Sequence, residues 1–175
     1  MPAEKGRREV YKMDYNIGDR IVYPMHGAGV IESIEDREIM GAIQKYYIMK
    51  MPIGDMKVMI PVANAKEIGI RDVIDKTEAD AVIKNLKECS TEMDANWNKR
   101  CRENSAKIKS GNIYEVARVV KSLMFRDKTR GLSTGERKML NNARQILVSE
   151  LVMAKETRQS EIENIINEIV NAELA

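Results

Sequence analysis

Few residues in this chain could do chemistry, and most of them stand alone. The single histidine, His26, lies between two β-branched runs, and to act as a general base there it would need an orienting carboxylate and a nucleophile. The sequence marks neither, so a polar turn residue is the simpler reading. Cys89 and Cys101 lack a CxxC pairing, which fits a reducing compartment and two free thiols better than a disulfide framework. One His with two distant Cys does not make a metal site. No P-loop and no H-E-x-x-H occurs, and Gly27-Ala28-Gly29 lacks the following helix that a dinucleotide site needs. These patterns argue against an enzyme, and no cofactor or metal is expected.

One short stretch offers a different chemistry. Asn96-Trp97-Asn98-Lys99-Arg100-Cys101-Arg102 holds the only tryptophan, followed within five residues by three cations and by no acid until Glu103. A flat ring beside positive charge suits a nucleic acid, whose phosphates attract and whose bases stack. Helical periodicity points the other way. At about 100° per residue, Trp97, Cys101 and Ile108 fall within about 40° of one another, on the apolar stripe of one helix, which favours a buried ring. A place in the first helical turn would let the same ring project past the helix end, so the pattern leaves both readings open.

Charge is distributed unevenly. Residues 13–72 carry seven Lys+Arg against nine Asp+Glu, and residues 73–158 carry eighteen against twelve. Between Trp97 and Arg144 the count is thirteen against four, and the last seventeen residues have four glutamates and no cation. A net of +9 over the central stretch is a sizeable electrostatic footprint for nucleic acid. The alternative is that charged helices need solvated faces. The acidic front and tail suggest separate partners for separate parts. No apolar run is long enough to cross a bilayer and none follows the N-terminal charges as in a signal peptide, so the expectation is a soluble, non-secreted, cytoplasmic protein that does not engage membranes.

The elements that must position these residues fall into two kinds. Residues 1–12 show no periodicity and are expected to be a mobile leader without assigned function. From Ile17, short β-branched runs alternate with Gly and Pro: Arg20–Tyr23, a turn at Met25–Gly29, Val30–Glu35, Lys45–Met51 and Met56–Ile60. Four or five such strands predict a small, strongly bent antiparallel sheet or barrel. Beyond Pro61 the period becomes helical. Thr77 is placed to cap one helix, Thr91 or Asp94 the next, Asn112 a third, and Ser133-Thr134-Gly135-Glu136 has the form of a capping box. A last amphipathic helix carries Ile162, Ile165, Ile166, Ile169 and Val170, a stripe that packs on the bundle or docks a partner. The predicted fold class is α+β, with a β module over 13–66, a short ordered connection near 63–77, and a domain of about five helices over 67–175.

Several long motifs now agree with a known family. G-D-R-I-V-Y-P-M-H-G-A-G-V-I-E-S-I, V-M-I-P-V-A-N-A, N-W-N-K-R and R-D-K-T-R-G-L-S-T-G-E-R-K-M-L-N-N-A-R-Q-I-L-V-S-E-L together resemble the CarD/CdnL family of bacterial transcription regulators over about residues 14–170. The β module alone also resembles the polymerase-interacting domain of the transcription-repair coupling factor, whose helicase parts are absent here.

The resemblance implies a Tudor-like β module that binds the β subunit of bacterial RNA polymerase. It also implies a helical domain that reaches promoter DNA at the upstream edge of the transcription bubble and stabilises the open complex. Trp97 matches the family's minor-groove wedge, and Lys99, Arg100 and Arg102 match its phosphate contacts, without sequence-specific readout. Arg37 matches a residue at the polymerase contact, and a second basic contact of some members falls at Met59, so that part of the interface must be more apolar or displaced. A monomer associated with the nucleoid through RNA polymerase is the corresponding expectation. The alternatives are a polymerase-independent nucleic-acid-binding protein and a protein adaptor.

Overall fold

The computed structural model describes residues 14–175, and the leader expected at 1–12 lies outside the described residues. Strands β1 (Arg20–Tyr23), β2 (Gly27–Ile39), β3 (Ala42–Lys50), β4 (Lys57–Pro61) and β5 (Arg71–Asp72) form one antiparallel sheet in the order β4-β3-β2-β1-β5. Alternation along the strands sends Ile21, Ile31, Tyr47, Met49 and Ile60 into one small core, closed by Val62, Ala65 and Ile70. Glu32 has no partner between the Ile31–Met49 and Ser33–Ile48 pairs. This bulge gives β2 the bend that the short runs predict.

The expected turn at Met25–Gly29 is shorter in the structure. It spans Pro24–His26, and both glycines belong to β2. Their bare backbones serve close approach instead. A Cβ on Gly27, whose φ is +118°, would stand 2.5 Å from Ser149 Oγ, and one on Gly29 would stand 2.6 Å from the Lys50 carbonyl oxygen. The connection after Pro61 is ordered, as expected, with a 3-10 turn (Val62–Asn64), the one-turn helix α1 (Ala65–Ile68) and then β5. The sheet therefore runs past residue 66 to Asp72, because Ile21 and Val22 leave a ladder edge that Asp72 and Arg71 pair with.

Five helices follow: α2 (Lys76–Glu88), α3 (Trp97–Lys109), α4 (Ile113–Thr129), α5 (Thr134–Lys155) and α6 (Gln159–Leu174). Asn112 and Ser133 cap α4 and α5 through their side chains as the sequence predicts. Two caps differ. Asp75, not Thr77, accepts from the Glu78 amide to start α2, and Asn96, not Thr91 or Asp94, accepts from the Lys99 amide to start α3. In each case the capping side chain stands three residues before the amide it receives, the reach an Asx oxygen has to the third helical N–H. Leu86, Val120, Leu123, Leu147, Leu151 and Ile162 meet in the bundle core. The stripe of α6 packs there, with Ile162, Ile166, Ile169 and Val170 buried, so it is not a free docking face. Lys121 is fully buried among them. Its ammonium donates to the carbonyls of Lys87 (3.2 Å) and Cys89 (2.7 Å) at the end of α2 and to Glu173 (2.9 Å) on α6, so a charge that would be costly alone is paired on three sides.

The sheet and the bundle meet where β2 crosses α5. The Ala28 amide donates to Ser149 Oγ at 2.9 Å, and Val22, Ala28 and Met153 form a small apolar cluster across the junction. Glu150, fully buried, accepts both terminal nitrogens of Arg71 at 2.7 Å and the Ile74 amide at 3.1 Å. Arg20 donates to the Met153 carbonyl at 3.0 Å, and Gln145 to the His26 carbonyl at 3.2 Å. Removing the carboxylate strands a guanidinium and a backbone amide, and Arg71 at 32% side-chain exposure recovers some of that loss from water. Glu150→Ala is therefore expected to lower stability by about 2 kcal/mol, measured as a shift of the urea midpoint with an unchanged slope. Gly27→Val, which forces a side chain into Ser149 from a left-handed backbone, should cost at least as much.

Candidate nucleic-acid interface

Asn96 ends the approach to α3 with an extended backbone and takes the Lys99 amide on its side chain at 3.0 Å. Asp94 bends the chain before it, accepting the Asn96 amide at 2.8 Å and the Lys99 ammonium at 3.0 Å. Trp97 is thereby the first residue of the helix, and 49% of it is exposed. The Asn96 amide and then Lys99 hold the Asp94 carboxyl below the usual carboxylate range. The stabilisation from this clip is present above the ordinary carboxylate pKa and is lost as pH falls through the depressed one.

The inward face of α3 overlaps the stripe of Trp97, Cys101 and Ile108 but is turned about 40° from it, toward Arg100 and Asn104. Arg100, Asn104 and Ile108 are its buried residues, a face that hydropathy cannot mark because two of the three are polar. Each has a partner. Arg100, only 3% exposed, donates to Glu136 Oε1 at 2.9 Å and to the carbonyls of Asp94 (3.1 Å) and Ala95 (3.2 Å), while Asn104 donates to Met93 Sδ at 3.3 Å. Trp97 lies on this same side of α3 at about 100° per residue, so its half exposure goes with its place in the first helical turn and not with the rotation of the helix. Its Nε1–H donates to Ser133 Oγ at 3.2 Å.

The three expected phosphate contacts consequently divide. Lys99 is exposed and pairs with Asp94 at 3.0 Å and more distantly with Glu103 at 3.8 Å, and the Asp94 hydrogen bond raises its pKa. Arg102 is exposed, and no described carboxylate stands within ion-pair distance of it. Arg100 is buried, and its guanidinium would have to abandon a buried carboxylate to reach a phosphate. Burial of Arg100 and Lys121 also removes two of the thirteen cations from the basic surface that composition suggests.

Sequence patterns missed what surrounds the ring. Glu136, 2% exposed, receives Arg100 on one oxygen and has Arg126 Nε at 3.6 Å from the other. The capping-box spacing marked Ser133 and Glu136 as a helix start, without signalling that the same pair meets Trp97 and Arg100. Arg130 and Lys138, both exposed, flank Ser133 in the chain and add charge to the segment that holds the indole.

The β module carries the other two candidate residues. Arg37 pairs across β2 with Gln44, and Met59 on β4 pairs with Ile48. Strand alternation then places both on one face, opposite the Tyr47 and Ile60 core. Arg37 is exposed and donates to Glu35 at 3.0 and 2.6 Å, which holds the Glu35 carboxyl below its usual range, and Met59 is 41% exposed. Both cysteines are free thiols, and burial raises the pKa of Cys101. Among the described residues no helix is long and apolar enough to cross a membrane, and no cluster of His, Cys, Asp and Glu could hold a metal ion.

The contrast between buried and exposed arginines is measurable. Glu136→Ala leaves Arg100 buried without its carboxylate and should cost about 3 to 5 kcal/mol, whereas Arg102→Ala should stay within about 0.5 kcal/mol of wild type. Parallel urea titrations check both.

Two family models match in chain order: the CarD-like/TRCF RID domain over residues 15–74 and the CarD C-terminal domain over residues 81–167. The chain is also similar to a Bacillus subtilis (strain 168) protein named "Putative transcription factor YdeB", at 39% identity over 150 residues, which covers 86% of this chain and 98% of that one. A five-stranded antiparallel sheet and a helical domain, each matched by its own model and joined in the same order, make this chain a member of the CarD/CdnL family of transcription factors.

Proposed function

We propose that this protein is a non-catalytic factor that binds the β subunit of RNA polymerase through the sheet face bearing Arg37 and Met59 and stabilises the open promoter complex through Trp97. The observation that carries this reading is the half-exposed indole at the first position of α3, followed in the same helix by the exposed cations Lys99 and Arg102. Opening DNA at a junction unstacks bases at a cost of a few kcal/mol per step, and an inserted apolar ring offsets part of it. Lys99 and Arg102 contact phosphates, and such contacts carry no sequence information. Arg100 serves differently from the expectation: it holds the start of α3 in place. Attachment to polymerase raises the local concentration of the ring at the promoter, so that weak DNA contacts suffice and a monomer is enough.

The test is promoter opening. Trp97→Ala should shorten the open-complex lifetime about tenfold, as expected for loss of an aromatic contact worth about 1 to 3 kcal/mol, and an unchanged lifetime refutes the wedge. Arg37→Glu should weaken binding to polymerase and leave affinity for free DNA unchanged, and the reverse result would exchange the roles of the two domains. Arg102→Ala should lower the salt slope of DNA binding by about one unit. Lys99→Ala should lower it less, because Asp94 already neutralises much of that charge. Tight binding to nucleic acid without polymerase would instead support an independent nucleic-acid-binding protein.

A further inference from the structure

The ring and the backbone of Trp97 are tied to the same buried carboxylate. Ser133 Oγ accepts the indole N–H at 3.2 Å and the Glu136 amide at 3.2 Å, and donates to Glu136 Oε1 at 3.3 Å. A serine hydroxyl has one proton and two acceptor positions, so these three bonds fill its capacity and leave it no alternative orientation. The same Glu136 Oε1 accepts Arg100 at 2.9 Å, and Arg100 grips the carbonyls of Asp94 and Ala95, the third and second residues before Trp97. Glu136 therefore fixes the start of α3 through Arg100 and the direction of the ring through Ser133.

We infer that Ser133 and Glu136, beyond capping α5, are positioning residues that hold the Trp97 ring in the orientation from which it acts on DNA. This rests on the wedge reading proposed above. A half-exposed indole has water available for its N–H, so burial does not demand the bond to Ser133. What the bond supplies is direction, and a ring already held in its acting orientation loses less conformational entropy on insertion. The serine that caps α5 thereby couples the α4–α5 connection to the ring on α3.

Because Trp97 is the only tryptophan, its fluorescence, excited at the red edge where tyrosine does not absorb, reports the ring directly. Glycine serves at a helix N-cap with little loss, so Ser133→Gly removes the hydroxyl while keeping α5. In the full-length protein this variant should lower the Trp97 anisotropy and shift its emission to the red. It should also shorten the open-complex lifetime about two- to tenfold, the effect of one hydrogen bond's net contribution, with polymerase binding unchanged. Ser133→Thr, which restores a hydroxyl, should recover all three readouts. The proposal is overturned if Ser133→Gly keeps the wild-type anisotropy, or if the ring loosens and the open-complex lifetime does not change. Trp97→Ala measured alongside separates the two levels. A lifetime sensitive to Trp97→Ala and insensitive to Ser133→Gly defeats the positioning role alone, and a lifetime insensitive to Trp97→Ala defeats the wedge itself.

Discussion

The close crossing of β2 over α5 is the constraint on which the rest of the molecule depends. Gly27 lets the strand approach until its neighbour's amide reaches Ser149, and Glu150, one residue on, draws in Arg71 and the Ile74 amide. The two contacts differ in kind. The glycine crossing is steric and sets a distance, whereas the Glu150 clamp is ionic and sets a direction. Together they make a five-stranded sheet too small to be very stable alone and a five-helix bundle into one body.

A second buried carboxylate does for the interface what Glu150 does for the domains. Glu136 lies between Arg100 and Arg126 and bonds the hydroxyl that receives the indole. Burying such charges costs several kcal/mol each, so they are a poor way to gain stability, but once paired they tolerate few alternative arrangements. That intolerance suits a site whose ring must stay half out of a bundle that would otherwise bury it. Lys121 fits the same pattern at the far side of the bundle, where it joins the ends of α2 and α6.

Membership in the family speaks to the class of the protein, and the geometry adds which side chains are free to act. Of the cations around Trp97, Arg102 stands without a described carboxylate, Lys99 is shared with Asp94, and Arg100 is internal. A basic footprint read from composition is thus graded once burial and pairing are counted. The stripe on α6 shows the opposite case, since an apolar face that could have docked a partner is used by the bundle itself.

By itself the sequence determined the change from period two to period three and a half near Pro61, and with it a bent sheet followed by five helices. It also determined the caps at Asn112 and Ser133, the free thiols and the isolation of Trp97 among cations, because all of these depend on neighbours within about four residues. Tertiary structure decided the rest. Helical periodicity alone put Trp97 on the inward stripe, and the structure leaves its ring half exposed at the start of α3 while burying Arg100 and Asn104 on the same side, which no hydropathy pattern can foresee because their partners, Glu136 and Met93, lie on other segments. The glycines of the expected turn became strand because β1 pairs with both, and Gly27 also meets Ser149 on a helix more than a hundred residues away. Local chemistry thus chose the elements and offered the ring, and long-range pairing decided what surrounds and holds it.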